Sequence, residues 1–205
     1  IADHVIVIVH GGHEHYELPS PRMKNTYRYY VDAGASAVIG HHTHCPCGYE
    51  EYNGAPICYS IGNFIFDMPD QNKNTIKPWH KGMAAELIIS GESVDAEYHP
   101  FIQNHRSAGL REMTSDERTK YNEEMSNINH TIKDDDELED AFNNFCIRSK
   151  RLYSSFIEPH SVGILHALRN RNIIPSMLSE RKKRLLLNVI RCEAHRDILI
   201  KTLSP

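Results

Sequence analysis

The sequence lacks a long apolar run, a basic excess and a paired cysteine motif. A membrane-spanning helix needs about 18 or more consecutive apolar residues, and no such run is present. The formal net charge is -4, whereas nucleic-acid-binding proteins usually carry a basic excess, so nucleic acid is not an expected partner. The 205 residues suffice to bury a core without disulfides.

The cysteines number five, an odd count without a CxxC pair, so neither a disulfide framework nor a thiolate zinc site is predicted. Cys45 and Cys47 flank Pro46, which favours a tight turn with two free thiols over a metal role. Free thiols favour the cytoplasm. A membrane-anchored extracellular parent is the alternative, because Ile1 is neither an initiator methionine nor part of a leader sequence. We expect a fragment or a processed product.

The charge pattern changes near residue 103. Residues 1–100 hold 12 acidic and 6 basic side chains, and residues 101–205 hold 15 and 17. The first part predicts an α/β (α+β) domain over residues 1–105. The second part, residues 106–205, predicts an α-helical extension in which the basic tetrad 181–184 forms a solvated helical face, with nucleic-acid or membrane contact as the less favoured alternative.

Strand and helix patterns alternate at the start of the chain. Residues 5–9 form a continuous β-branched run, typical of a strand buried on both faces. A helix follows from Pro21 to about Ala33, and residues 37–39 form a second strand that Gly40 is expected to end. This order predicts a parallel strand–helix–strand unit.

Further elements follow this unit. Asn53-Gly54 predicts a hairpin turn, and residues 64–66 indicate another short strand. Strands are predicted over residues 84–89 and 96–102, and residues 114–117 supply a capping signal for a helix ending near residue 128. Another helix is predicted from residues 134–136 to about residue 156.

Histidine is the residue in excess. The chain has 14, and seven fall within the first 44 residues: His4, His10, His13, His15, His41, His42 and His44. The last six form two groups directly after the first two strand patterns. Because ligands of α/β sheets bind at the carboxyl ends of strands, these groups predict one shared site. Imidazole and carboxylate donors without paired thiolates suit Zn, Mn or Fe.

Residues 3–67 also resemble the C-terminal half of the CapA domain, a bacterial family of capsule-synthesis or poly-γ-glutamate biosynthesis proteins. The resemblance is carried by four pieces in order: His10-Gly11-Gly12-x-Glu14, Asp32-Ala33-Gly34-Ala35, Val38-Ile39-Gly40-x-His42-x-His44, and residues 59–67. It implies a calcineurin-like metallophosphoesterase fold, a β-sandwich flanked by helices.

The resemblance also implies a set of site residues. It gives His10, His42 and His44 as ligands of divalent ions (Mn, Fe or Zn), expected as a pair. The remaining ligands belong to an N-terminal half, which the same protein or a second subunit would supply. We predict His13, His41 and Glu14 as catalytic groups: a histidine donates a proton or stabilises charge, and Glu14 orients a histidine or binds metal.

Ser60 and Asn63 are predicted to bind substrate. For Asn63, together with Asp67, capping of a turn is the equal alternative.

These observations lead to a functional expectation. The chain is expected to be a CapA-like protein of capsule or exopolymer biosynthesis, acting on poly-γ-glutamate or polysaccharide. When full length it would be a metal-dependent phosphoesterase-type hydrolase, and this fragment alone would be inactive. The expected ligand is an anionic or phosphorylated small molecule or polymer. The alternative is a non-catalytic capsule-assembly component that binds an anionic polymer.

Overall fold

The computed structural model describes residues 2–66, 76–104, 108–156, 163–171, 173–175 and 178–191. The strands are β1 (Ile6–His10), β2 (Ala37–His41), β3 (Tyr49–Tyr52), β4 (Ala55–Cys58), β5 (Lys81–Ser90), β6 (Ser93–Gln103) and β7 (Leu110–Glu112). The helices are α1 (Pro21–Asp32), α2 (Ser115–Lys133), α3 (Asp135–Phe156), α4 (Gly163–Asn170) and α5 (Glu180–Arg191), with a 3-10 turn at Pro78–His80. The predicted mixed class with a helical C-terminal part is confirmed.

The first sheet contains the predicted strand–helix–strand unit. Its strand order is β1-β2-β4-β3; β1, β2 and β4 are parallel, and β3 is antiparallel to β4. The connecting helix α1 begins as predicted, because the Ser20 hydroxyl accepts a hydrogen bond from the Met23 N–H and Pro21 occupies the first turn. The unit therefore carries the ends of β1 and β2 to the same edge of the sheet.

The prediction that β1 is buried on both faces is wrong. β1 lies at the edge of the sheet, and the side chain of Ile8 is 74% exposed. A continuous apolar run is typical of central parallel strands, so the sequence pattern alone could not show that one side of β1 is uncovered.

The prediction that Gly40 ends β2 is also wrong, because the strand continues to His41 and pairs there with His10. Glycine is required at position 40 because neighbouring atoms approach the backbone closely there. A Cβ atom at this position would lie 2.3 Å from the carbonyl oxygen of Tyr59 and 2.8 Å from the hydroxyl oxygen of Tyr27. Glycine is therefore the residue that lets the backbone after β4 pack against β2.

The predicted hairpin is confirmed. Asn53 and Gly54 join β3 to β4, and both have positive φ angles, 49° and 78°. The short strand predicted at residues 64–66 is wrong. Residues 61 and 62 form only isolated bridges, and the three apolar side chains that follow are exposed.

The second sheet is antiparallel, with the order β5-β6-β7. Both strands predicted between residues 84 and 102 are confirmed and are longer than expected. The predicted capping box of α2 is present: the Thr114 hydroxyl accepts from the Glu117 N–H, and the Glu117 carboxylate accepts from the Thr114 N–H. This helix runs to Lys133, one turn beyond the predicted end.

Helix α2 completes the core of the first sheet. Ile132 has no exposed surface and packs with Val38, Ile57 and Tyr59. Two compact units are formed, Ile1–Phe145 and Cys146–Pro205, so α2 belongs to the same unit as both sheets. The domain boundary near residue 105 stays a prediction. Of the described helices, none has the length and apolarity to cross a bilayer.

Candidate metal centre

The two histidine groups meet at one edge of the first sheet, as the strand order predicts. His10 ends β1, His41 ends β2, and the two are register partners in the parallel ladder. Nδ1 of His10 lies 3.1 Å from Nε2 of His41, so one of these nitrogens donates and the other accepts. The ring of His42 lies beside that of His10, with centroids 4.6 Å apart.

The segment after β2 has an unusual backbone. His42 has a φ angle of 110° and His44 one of 61°, and non-glycine residues adopt positive φ only at a conformational cost. Thr43, between them, is buried; its hydroxyl oxygen lies 2.8 Å from the Cys45 carbonyl oxygen and 2.8 Å from the Ser60 hydroxyl. Burial of Thr43 therefore holds both neighbouring histidines on the accessible side of the loop.

A compact group of metal-donor atoms results from this arrangement. Glu14, His42 and His44 each offer one ligand atom, and these atoms all lie within 4.8 Å of one another. One carboxylate and two imidazoles form a donor set suited to a divalent transition metal, and three protein ligands leave a position for water or substrate. His10 contacts this group through His42 but is not one of its three donors.

Asn63 fixes the orientation of His44. The Asn63 side-chain N–H groups donate to the main-chain oxygens of His44 and Trp79, at 3.3 and 3.2 Å. The amide oxygen therefore faces Nδ1 of His44, at 2.8 Å, and Nδ1 must carry the proton. This leaves Nε2 as the lone-pair donor, the arrangement usual for metal-binding histidines with a supporting partner.

Ser60 and Asn63, the predicted substrate-binding residues, lie below the site rather than on its surface. Ser60 has no exposed surface, and its hydroxyl accepts from the Gly62 N–H while it contacts Thr43. This burial argues against direct contact of Ser60 with a substrate. Asn63 is also buried, and its side chain contacts His44 and Trp79. Both alternatives for Asn63 stay predictions, and Asp67 lies outside the described residues.

The two histidines predicted as catalytic differ in their surroundings. His13 packs against the rings of Phe142 and Phe145 of α3, with centroid distances of 5.3 and 5.9 Å. Burial, with a smaller contribution from Arg22, lowers the pKa of His13. Burial also lowers the pKa of His41, together with the nearby histidines. Both side chains are therefore biased toward the neutral form.

Aromatic residues beside the site were not identified from the sequence. Trp79 lies 4.7 Å from the His44 ring and 5.1 Å from the His15 ring, between centroids. Trp79 lies in a stretch whose sequence predicts only a polar loop, so no sequence pattern indicates its position beside the site. Phe142 and Phe145 do show a pattern, the apolar face of a predicted helix, but that pattern does not reveal which loop the helix covers.

Cys45 and Cys47 are free, fully buried thiols, and both sulfur atoms lie within 4.0 Å of the Thr43 hydroxyl oxygen. The Cys47 thiol lies 3.1 Å from the Tyr16 carbonyl oxygen. Burial raises the pKa of the Cys47 thiol well above its ordinary value. A buried thiol of this kind is a packing group with a weak donor rather than a reactive one.

Comparison with known proteins finds relatives for the segment that carries these residues. Residues 2–68 match the family model described as "Bacterial capsule synthesis protein PGA_cap". The segment is 44% identical over 66 residues to "Capsule biosynthesis protein CapA" of Bacillus anthracis, covering 32% of this chain and 16% of that protein. It is 46% identical over 66 residues to "PGA biosynthesis protein CapA" of Bacillus subtilis (strain 168), covering 32% of this chain and 17% of that protein.

Residues 2–68 are therefore similar in sequence to CapA proteins of capsule and PGA biosynthesis. The matched segment spans about a sixth of the length of these relatives, 16–17%. All six strand-end histidines and Glu14 lie inside it, whereas the second sheet and the helices from α2 onward lie outside it.

Proposed function

We propose that this chain forms the metal-binding part of a CapA-like protein that processes a phosphorylated intermediate or polymer in capsule or exopolymer synthesis. One observation carries this proposal: the ligand atoms of Glu14, His42 and His44 lie within 4.8 Å of one another at the ends of adjacent strands. His10 is the fourth candidate ligand, since its ring contacts that of His42. The donor chemistry favours Zn, Mn or Fe.

A divalent ion held here would stabilise the charge of a phosphoryl oxygen and lower the pKa of a bound water. The chain's own groups would orient the reaction. Asn63 holds Nδ1 of His44 protonated, so that Nε2 would be free to bind an ion. His41, hydrogen-bonded to His10, could stabilise charge on a leaving group by donating a hydrogen bond. A second ion would need ligands from another part of the protein, as the family resemblance implies.

Metal content tests the ligand assignment. We expect the purified chain to retain one equivalent of a divalent metal, and His42→Ala, His44→Ala and Glu14→Gln each to weaken its binding at least tenfold. The matched control is His99→Ala. His99 forms a separate exposed donor group with Glu86 and Glu97, so its loss should leave the main site intact. Unchanged metal content in both His42→Ala and His44→Ala would overturn the proposal.

The alternative function is a non-catalytic one, in which the same surface binds an anionic polymer without hydrolysing it. It is favoured by the size of the donor group, because the three grouped donors among the described residues at this site would hold one ion. Hydrolysis of bis-p-nitrophenyl phosphate by the metal-loaded complete gene product separates the two functions. Turnover that His42→Ala abolishes supports the hydrolase; metal binding without turnover supports the binding protein.

A further inference from the structure

The second compact unit carries most of the positive charge of the chain. Residues 146–205 hold 12 lysines and arginines and four acidic residues, a net charge of +8, whereas residues 1–145 hold 11 and 23, a net charge of -12. The contrast is smaller when the chain is divided at residue 100. The acidic residues of α2 and α3 are then counted together with the basic C-terminal residues. Such asymmetry indicates an anionic partner for the second unit.

Helix α5 concentrates this charge on an accessible surface. Arg181, Lys182, Arg184 and Arg191 are exposed, and Lys183 pairs with Glu180 at 2.6 Å. No residue of α5 is buried. The basic residues therefore keep their charge at the surface, where a partner can reach them.

Apolar side chains of the same helix are also accessible. Leu185 is 57% exposed and Ile190 58%, and Leu187 is exposed as well. On an α-helix Arg181, Arg184 and Arg191 fall on one side, because successive residues turn by about 100°. Leu186, Val189 and Ile190 fall on the other side, together with Lys182, and Leu185 lies at the border as the i+4 neighbour of Arg181. An exposed basic and apolar helix of this kind suits the interface of a membrane rather than a soluble core.

The same unit exposes further aliphatic side chains, among them Ile164, Leu165 and Ile173 toward its C-terminal part and Ile147 in α3. These residues favour one anionic partner over another. A nucleic acid would use the basic side chains and aromatic rings for stacking, and it would leave aliphatic side chains in water. An anionic lipid surface uses both kinds of residue, since headgroups pair with arginine and lysine while acyl chains bury leucine and isoleucine.

We propose that the second unit, through α5, binds the surface of an anionic lipid bilayer. The helix would lie in the plane of the interface, with Leu185 and Ile190 among the acyl chains and the arginines at the phosphates. Lysine stems near the apolar side can extend toward the headgroups. Such binding would hold the candidate metal centre near a membrane, and it does not depend on whether that centre is catalytic.

Vesicle sedimentation tests this inference. The probes are vesicles of pure phosphatidylcholine and vesicles that contain about 30 mol% phosphatidylglycerol. Each basic residue near an anionic surface adds roughly fivefold to binding. We expect the chain to sediment with the anionic vesicles only, and to be released by high salt. Arg184→Glu and Ile190→Glu should each lower the partition coefficient about tenfold or more.

The matched control is Ile147→Glu, an equally exposed isoleucine of α3 in the same unit, 70% exposed; it should bind like the wild type. Circular dichroism checks that each variant is folded. The inference is overturned if the chain ignores anionic vesicles, if Ile190→Glu binds like the wild type, or if a 20-base single strand of DNA competes the chain off the vesicles. It is also overturned if light scattering shows that Ile190→Glu acts by dissociating a dimer. Metal binding by the first unit is measured separately, so failure of either proposal leaves the other standing.

Discussion

Asn63 accepts a hydrogen bond from Nδ1 of His44 at 2.8 Å, and its own N–H groups are held by two main-chain oxygens. Asn63 therefore fixes the tautomer and the orientation of His44, a candidate metal ligand. Removing such a supporting partner typically weakens metal binding about 10- to 100-fold. We expect Asn63→Ala to lower the affinity for Zn²⁺ by this factor, as measured by competition with a chromogenic chelator.

A matched control for that experiment is Asn129→Ala. The side chain of Asn129 accepts from the Tyr49 N–H of β3, so its loss affects the fold but not the donor group. An Asn63→Ala chain with wild-type Zn²⁺ affinity would show that His44 does not need this partner or is not a ligand.

Lys24 gives a second prediction, on stability. It is buried in α1, and its ammonium group donates to the Ile132 carbonyl oxygen at the end of α2 and to Asp135 at the start of α3, the latter at 2.6 Å. Lys24→Met removes both hydrogen bonds from a buried position. We expect the free energy of unfolding in urea to fall by about 2–3 kcal/mol.

Asp135→Asn is the comparison for Lys24→Met. The Asp135 side chain is largely in solvent, and the substitution leaves the Lys24–Ile132 hydrogen bond in place. The expected loss is about 1 kcal/mol or less. Equal losses in the two variants would contradict the claim that Lys24 acts mainly by tying α1 to the end of α2.

Glu117 gives a pH-dependent prediction. Hydrogen bonds from Arg111 and from the Thr114 cap lower its pKa from 4.5 to about 2. Because the folded state holds the carboxylate ionised, its stabilising contribution is complete above pH 4.5 and is lost as the pH falls toward 2. We expect Glu117→Gln, which retains an acceptor for the cap, to lower the free energy of unfolding by about 0.5–1 kcal/mol at pH 7.

Urea titrations at pH 7 and near pH 2 check this expectation. The difference between the wild type and Glu117→Gln should shrink strongly at the lower pH, where the folded-state carboxyl of Glu117 is about half protonated. Glu117→Ala, which also loses the cap, should cost about 1 kcal/mol more at pH 7. A constant difference across the pH range would mean that the Arg111–Glu117 ion pair is not the source of the effect.

The cysteines should differ sharply in reactivity. Cys146 is exposed, whereas Cys45, Cys47 and Cys58 are fully buried. Burial raises the pKa values of the Cys47 and Cys58 thiols, which disfavours the reactive thiolate. Brief treatment of the native chain with iodoacetamide should therefore label Cys146, and peptide mass mapping should find the three buried thiols unmodified. Labelling of Cys58 at the rate of Cys146 would contradict the packing described for β4.

The elements that the sequence predicted well are those with a local cause. The Ser20 and Thr114 caps and the Asn53-Gly54 turn depend on residues within a few positions of each other, so their signals are complete in the sequence. The meeting of His10 and His41 was predictable for a related reason, since a parallel strand–helix–strand unit brings both strand ends to one edge.

Other features depend on residues far apart in the chain. The position of Gly40 inside β2 depends on the backbone of Tyr59, and the exposure of Ile8 depends on its strand being at a sheet edge. The packing of Trp79 beside His44 joins two segments separated by a long loop. No local pattern encodes contacts of this kind, so the neighbours of the histidines could be found only from the structure.

The uncovered edge at β1 has a consequence for assembly. Ile8 is exposed there, and the outer main-chain groups of β1 have no ladder partner among the described strands. An additional strand could therefore join the sheet at β1 without breaking any existing hydrogen bond, and it would cover Ile8 and satisfy those groups. Its end would then lie next to His10, so the same addition that closes the sheet could also deliver further donor atoms to the metal centre.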